Sequence, residues 1–185
     1  MSEQNFSLKD RTSGDSYTGT VTANGKARLV EFKFDRLNEP LIMSYEQARD
    51  HLLQDAASTT TIPLAEQKLT LNRVALGTIA MNAYLEAIGQ SFIYRRQNVQ
   101  GFMNNTAIEL DLKGFLDIDR QTVLMSVLAR ESTDQPNFHF TEGRFSQSDG
   151  QHLLERGSDF TLTFTDRKHA TISCDLLGNF ILSFF

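Results

Sequence analysis

A chain of 185 residues can bury one ordinary hydrophobic core, and its 40% apolar and 22% charged residues exclude disordered, collagenous and membrane-embedded classes. The formal net charge of −5 opposes the long-range attraction that phosphate backbones require, so we predict no nucleic-acid partner. Cys174 is the single cysteine, which excludes an intrachain disulfide and favours a reducing compartment, so we predict a cytoplasmic protein.

Residues 1–15 form a polar segment that carries both signs of charge and lacks a basic stretch followed by an apolar run. This pattern predicts no signal peptide. No helix candidate reaches the ~20 apolar residues that span a bilayer, so we predict no membrane association. No change in composition marks a boundary and no internal repeat is apparent, so residues 1–185 are expected to form one domain.

Residues 16–34 form the clearest strand pair. Asn24 and Gly25 supply the two positive-φ positions of a type I′ turn between two runs rich in β-branched and aromatic residues. Placing Ala23 opposite Lys26 collects the apolar side chains of both strands on one face, as strand periodicity requires.

Two helices are predicted after this hairpin. The first begins at Ser44, because Ser44 and Gln47 have the spacing of a capping box and apolar residues then recur at helical intervals up to residue 56. The second covers residues 71–88 and ends at Gly89. It is apolar on nearly all sides, which predicts a buried helix.

The second helix also carries one polar stripe. Thr78, Asn82 and Glu86 are spaced by four residues, so they share one face of the helix. This stripe is expected either to meet solvent or to line a pocket.

From residue 107 onwards the apolar pattern changes to the period of two that is typical of strands. Turn signals, among them residues 134–136 and 148–150, separate the segments, and short connections favour antiparallel neighbours. Six strands are predicted, at residues 107–113, 122–131, 138–145, 160–165, 170–175 and 180–185.

These elements predict an α+β fold. A strongly bent, mostly antiparallel sheet, made of the hairpin and a six-stranded meander, is expected to pack around two central helices, one of them largely buried. The last strand, residues 180–185, has apolar side chains on both faces, which predicts a central strand.

For His139, strand alternation predicts which face of the sheet the side chain occupies. It lies between Phe138 and Phe140, so its side chain is expected on the opposite face, which we interpret as solvated. Glu142 shares the phenylalanine face, so an acid–base pair with His139 would need a carboxylate from a neighbouring strand. No histidine has a partner at the spacing of a known metal motif, so we predict no metal site.

Cys174 lies close in sequence to His169, which raises the hypothesis of a nucleophile and its base. Strand alternation instead places the thiol on the apolar face with Ala170 and Ile172, which predicts a buried structural cysteine. The sequence also lacks a glycine-rich phosphate loop, so we predict no cofactor.

Arg95 and Arg96 follow a short aromatic stretch and could form a basic patch suited to an anionic ligand. Alternation along a strand would send the two side chains to opposite faces, so only one could serve a given site. The alternative is a solvated loop.

The leading functional hypothesis is a non-catalytic binding or accessory protein, because no residues form a recognisable catalytic set. It would hold a small apolar ligand or a segment of a partner protein, on a concave sheet face or in the cavity between the sheet and the buried helix. Two alternatives stay open: an enzyme whose site assembles from dispersed residues, and a structural or assembly subunit, immunity- or chaperone-like, that pairs strand edges with another chain. A homo-oligomer is compatible with all three. The candidate ligand-binding residues are Thr78, Asn82, Glu86, Arg95 and His139.

Overall fold

The structure, a computed structural model, describes residues 3–65, 67–131 and 137–185, so the turn expected at residues 134–136 lies outside the described residues. The chain divides into two compact units, Met1–Phe92 (unit 1) and Ile93–Phe185 (unit 2). Two compact units are compatible with one domain or with two, so the expectation of one domain stays a prediction.

Unit 1 contains a four-stranded antiparallel meander, a helix, a separate strand hairpin and a second helix. The elements are β1 (Glu3–Lys9), β2 (Ser16–Asn24), β3 (Leu29–Phe34), β4 (Leu41–Ser44), α1 (Tyr45–Leu52), β5 (Thr59–Leu64), β6 (Gln67–Asn72) and α2 (Arg73–Ala87).

Both helices of unit 1 begin at capping residues. Ser44 and Gln47 form the predicted capping box at the start of α1. The side chain of Asn72 accepts a hydrogen bond of 2.9 Å from the backbone N–H of Ala75 and so begins α2. The predicted burial of α2 is confirmed, since most of its apolar side chains lie in the core.

The hairpin of β2 and β3 has a longer turn than its sequence indicated. Asn24 pairs with Leu29, and Ala23 pairs with Val30. The predicted register, with Ala23 opposite Lys26, was therefore wrong. The physical reason is local: the Asn24 side chain accepts a hydrogen bond of 3.0 Å from the N–H of Ala27, which closes a wider turn. The partner of Ala23 moves by an even number of positions, from Lys26 to Val30. The same side chains therefore share a face, and the predicted apolar face is the buried one.

Unit 2 contains one six-stranded sheet and two helices. The elements are β7 (Tyr94–Met103), β8 (Thr106–Leu116), β9 (Thr122–Glu131), β10 (Asn137–Ser146), α3 (Gln147–Arg156), β11 (Asp159–Thr163), β12 (His169–Ser173) and α4 (Cys174–Leu182). The strand order is β10-β9-β8-β7-β12-β11, with antiparallel neighbours throughout. The predicted class, mixed α+β and mostly antiparallel sheet, is confirmed.

The strand predicted at residues 180–185 was wrong, because residues 180–182 belong to α4 and no strand follows them. Leu177, Phe180, Ile181 and Phe184 are all buried, and their spacing is helical. Alternating apolar residues in the same segment also match a strand, so the pattern by itself was ambiguous. Residues 148–150, expected to form a turn, lie inside α3.

Phe184 and Phe185 offer a matched test of the packing at the end of α4. Phe184 is 5% exposed and stacks edge-on against Phe180 with ring centroids 5.4 Å apart, whereas Phe185 is 42% exposed. We expect Phe184→Leu to lower the free energy of unfolding by about 1.5 kcal/mol. Phe185→Leu should stay within about 0.5 kcal/mol of the wild type in urea unfolding. Equal effects of the two variants would contradict this packing.

The two units share one order of elements, four strands, a helix, two strands and a helix, although no repeat was expected. In both, the first helix follows the fourth strand directly and starts at a serine capping box, Ser44 in unit 1 and Ser146 in unit 2. The hairpin in both also adjoins the first strand. The N–H of Arg11, just after β1, donates to the carbonyl of Thr70 in β6 at 2.7 Å, and Thr171 in β12 pairs with Phe102 in β7.

None of the helices formed by residues 3–65, 67–131 and 137–185 combines the length and the apolar character needed to cross a bilayer.

Candidate functional site

The sheet of unit 2 nearly closes on itself, and its two outer strands meet at one end only. There the backbone N–H of Thr165 donates to the carbonyl of Phe140 at 2.8 Å. Thr165 lies two residues after the end of β11, and within the described residues no backbone hydrogen bond joins β10 to β11 itself. Beyond that contact the strands leave an opening, which we call the β10–β11 cleft.

The β10–β11 cleft is a cavity of about 250 Å³ with mainly apolar walls. Strands β9, β10 and β11 and helix α4 supply these walls. The apolar lining residues are Met125, Val127, Phe145, Phe160, Leu162 and Leu177.

The cleft exists because β10 presents small side chains to the core. Thr141 pairs with Val127 and Gly143 pairs with Met125, so these two positions face the same side of the sheet as the buried residues of β9. A Cβ added to Gly143 would meet only the ring of Phe145, at 3.1 Å. At these two positions β10 therefore supplies no large apolar side chain to the core.

His139, next in the chain to Phe140, lies close to Glu131 and Asp166, and we call these three residues the His139 cluster. The Nδ1 atom of His139 hydrogen-bonds to Asp166, and its Nε2 atom lies 3.2 Å from the Glu131 carboxylate. The imidazole is 2% exposed and packs against Phe164 with ring centroids 5.6 Å apart. Both ring nitrogens face acceptors, which favours the doubly protonated ring.

Electrostatics in the His139 cluster agree with this arrangement. Burial, the largest single influence, lowers the pKa of His139, but the hydrogen bonds and charges of Asp166 and Glu131 together raise that pKa above 6.5. The backbone N–H of Lys168 and the imidazole hold the pKa of Asp166 below its ordinary value. The hydrogen bond between His139 and Asp166 therefore ties the turn after β11 to β10, and protonation of the imidazole strengthens it.

The predicted orientation of β10 was wrong. His139 lies on the buried face, and Phe138, expected on the opposite face, is 45% exposed with the Arg130 guanidinium 5.3 Å above its ring. The reason is the pairing with β9, which aligns His139 with the buried Ala129. The expectation that a carboxylate could reach His139 only from another element is confirmed.

A second hollow, of about 300 Å³, adjoins the cleft and shares Phe145 and Phe160 with it. Helix α3 contributes His152 and Arg156 to its rim, and β10 contributes Arg144.

The other charged groups at this hollow are engaged in the fold. Arg144 binds the buried Asp117 carboxylate at 2.8 Å. Asp149 caps α3 by accepting hydrogen bonds from the backbone N–H and the hydroxyl of Ser146. The charged side chains that line this hollow are thus two guanidinium groups, Arg144 and Arg156, and one carboxylate, Asp149.

Comparison with known proteins gives no match, whether with family models, with curated proteins or with solved structures.

The predicted polar stripe of α2 lies in unit 1. Asn82 and Glu86 are exposed, and both side chains hydrogen-bond to Gln4 of β1. Thr78 is half-buried and donates to the carbonyl of Val74 at 2.7 Å. These contacts stabilise α2 against β1, and whether the stripe binds a ligand stays a prediction.

Arg95 lies on β7 in unit 2, with β8 and β9 between it and the strand of His139. Its guanidinium is exposed and sits 5.8 Å from the centre of the Phe184 ring. Arg96 points to the other face, as alternation predicted, and forms a bidentate pair with Asp111 at 2.8 Å.

Cys174 is fully buried, as expected of a structural cysteine. Across residues 3–65, 67–131 and 137–185, no group of three His, Cys, Asp or Glu side chains is arranged to hold a metal ion.

Sequence reasoning missed Thr141, Gly143 and Phe160. One signal was available: with His139, the inward positions of β10 read His, Thr, Gly, a face without an aliphatic side chain inside an otherwise apolar sheet.

Proposed function

We propose that this chain is a binding protein that holds an apolar group of a ligand or partner in the β10–β11 cleft. One observation carries the proposal: Thr141 and Gly143 leave an apolar-walled opening where β10 and β11 diverge. Apolar cavities flanked by a few polar groups are the usual form of ligand sites.

An enzymatic role for His139 has less support. A general base needs a ring nitrogen within reach of its substrate, but both nitrogens of His139 are occupied by carboxylates of the same unit. The imidazole is also 2% exposed. The His139 cluster therefore supports the cleft as a structural tie.

The test fills the cleft and measures binding of 8-anilinonaphthalene-1-sulfonate, a dye that fluoresces in apolar sites. Thr141→Phe places a ring in the cleft, and we expect it to weaken dye affinity by at least about tenfold. Thr106→Phe is the matched control, because Thr106 is exposed and lies outside the cleft lining. Gly143→Leu repeats the test from the next inward position.

Circular dichroism and melting curves establish that each variant is folded. Equal dye affinity in the wild type and in both filled variants would overturn the proposal.

A further inference from the structure

We infer that the occupant of the β10–β11 cleft is an extended peptide segment of a partner protein, which adds as a strand between β10 and β11. This inference rests on the proposed function and names the class of ligand. The segment would place an apolar side chain in the cleft and an acidic group beside the end of α3.

The first argument comes from the direction of backbone groups. The bond between Thr165 and Phe140 shows which residues of each strand face the opening. Because N–H and C=O groups alternate between the two edges of a strand, every second residue from these two faces it as well. The residues whose backbone groups face the opening are Phe140, Glu142 and Arg144 on β10, Thr161 and Thr163 on β11, and Thr165 just after β11.

The intervening residues of β11 have backbone groups that face β12, which agrees with this assignment. The N–H of Phe164 donates to the carbonyl of Lys168 at 2.9 Å, which directs Phe164 and Leu162 towards β12. The cleft is thus bordered on both sides by backbone donors and acceptors of edge strands. An alkyl ligand would cover these groups without bonding them, whereas an extended peptide satisfies them.

The second argument comes from side-chain alternation. A strand added in the plane of the sheet directs alternate side chains inward and outward. An inward side chain would enter the cavity between Met125 and Phe160, beside the small Thr141 and Gly143. An aliphatic side chain suits these walls. The outward neighbours would lie beside Thr161 and Glu142, at the solvent-exposed rim, where polar residues are favoured.

The third argument comes from charge. The hollow that continues the cleft is lined by two guanidinium groups, Arg144 and Arg156, and by one carboxylate, Asp149, which accepts hydrogen bonds from Ser146. Arg156 is exposed in the last turn of α3. An acidic side chain, or a terminal carboxylate, of the added strand would complement this rim.

The experiment uses the full chain and a short fluorescein-labelled peptide that alternates threonine with leucine and ends in glutamate, with fluorescence polarisation as the readout. Two further peptides carry N-methyl groups on alternate amides, one peptide for each of the two sets of alternate residues. N-methylation removes backbone donors and keeps the side chains. We expect N-methylation to weaken binding by about tenfold or more. Exchanging the terminal glutamate for lysine should weaken binding by about fivefold, and Arg156→Glu should reverse that preference.

Variants of the protein test the same edge. Thr161→Pro removes one backbone donor that faces the opening, at an edge position where proline is tolerated, and Thr161→Val keeps that donor. We expect the proline variant to weaken peptide binding about fivefold or more and the valine variant to match the wild type.

The outcomes separate the two proposals. If the N-methylated peptides bind as tightly as their parent, or if no peptide binds while dye binding still depends on Thr141, the added-strand inference is overturned and the proposed function stands. If cleft-filling substitutions change neither the affinity for the peptide nor the affinity for the dye, both proposals fail.

Discussion

Gly77→Ala should lower the free energy of unfolding by about 3 kcal/mol, because α1 and α2 touch at this position. A Cβ added to Gly77 would lie 2.5 Å from the backbone nitrogen of Leu52 and 2.7 Å from the carbonyl oxygen of Ala48. Backbone atoms cannot rotate away as side chains do, so the two helices must separate. The intrinsic preference of helices for alanine returns only about 1 kcal/mol.

Gly178→Ala is the matched variant in unit 2. Gly178 is the fifth residue of α4, as Gly77 is the fifth residue of α2. Its added Cβ would meet the carbonyl oxygen of Gly150 at 2.9 Å and the flexible Leu154 side chain at 3.1 Å. We expect a smaller loss of about 1 kcal/mol.

Urea unfolding measures both glycine variants, and Gly178→Ala, which gains the same helix propensity, is the control for Gly77→Ala. Equal stability of the wild type and Gly77→Ala would contradict the close approach of α1 and α2.

His139→Gln should lower the free energy of unfolding by about 2 kcal/mol at acidic to neutral pH and by less at alkaline pH. The pKa of His139 is raised above 6.5 in the fold by Asp166 and Glu131, against the opposing effect of burial. The ionised ring therefore stabilises the folded state. This contribution is fully present below pH 6.5 and is lost as pH rises through the raised pKa.

Protonation of Asp166 removes the contribution of this cluster to folding stability at low pH. Its pKa is lowered from 3.8, so its contribution is present above pH 3.8 and is lost as pH falls through the lowered value. The difference in stability between the wild type and His139→Gln should consequently be largest between these two limits.

Urea unfolding at a series of pH values measures this difference, with His152→Gln as the control for an exposed histidine. A difference that does not change with pH would show that the His139 cluster carries no ionic contribution.

Local signals in the sequence predicted several elements correctly. The capping box of Ser44 and Gln47 marks the start of α1, and Gly89, with a φ of 75°, follows the end of α2 as expected. The capping box of Ser146 and Asp149 was missed, because residues 148–150 have the composition of a turn. Caps and turns are predictable because their hydrogen bonds close within a few residues.

The candidate site was predicted in part only. His139 was identified, but its face was inverted, because alternation with Phe138 and Phe140 predicted a solvated imidazole. The β10–β11 cleft itself was not foreseen. A cavity depends on which side chains are small at positions that meet from separate strands, and that information lies in the register between β9 and β10.

The sequence by itself determined the α+β class, the apolar face shared by β2 and β3, and the capped start of α1, because each depends on residues close together in the chain. Tertiary structure decided that residues 174–182 are a helix, that His139 faces the core and that the sheet stays open beside Thr141. These features require contacts between distant residues, such as His139 with Asp166, 27 positions apart. Their energies decide between local patterns that fit helix and strand, or inside and outside, equally well.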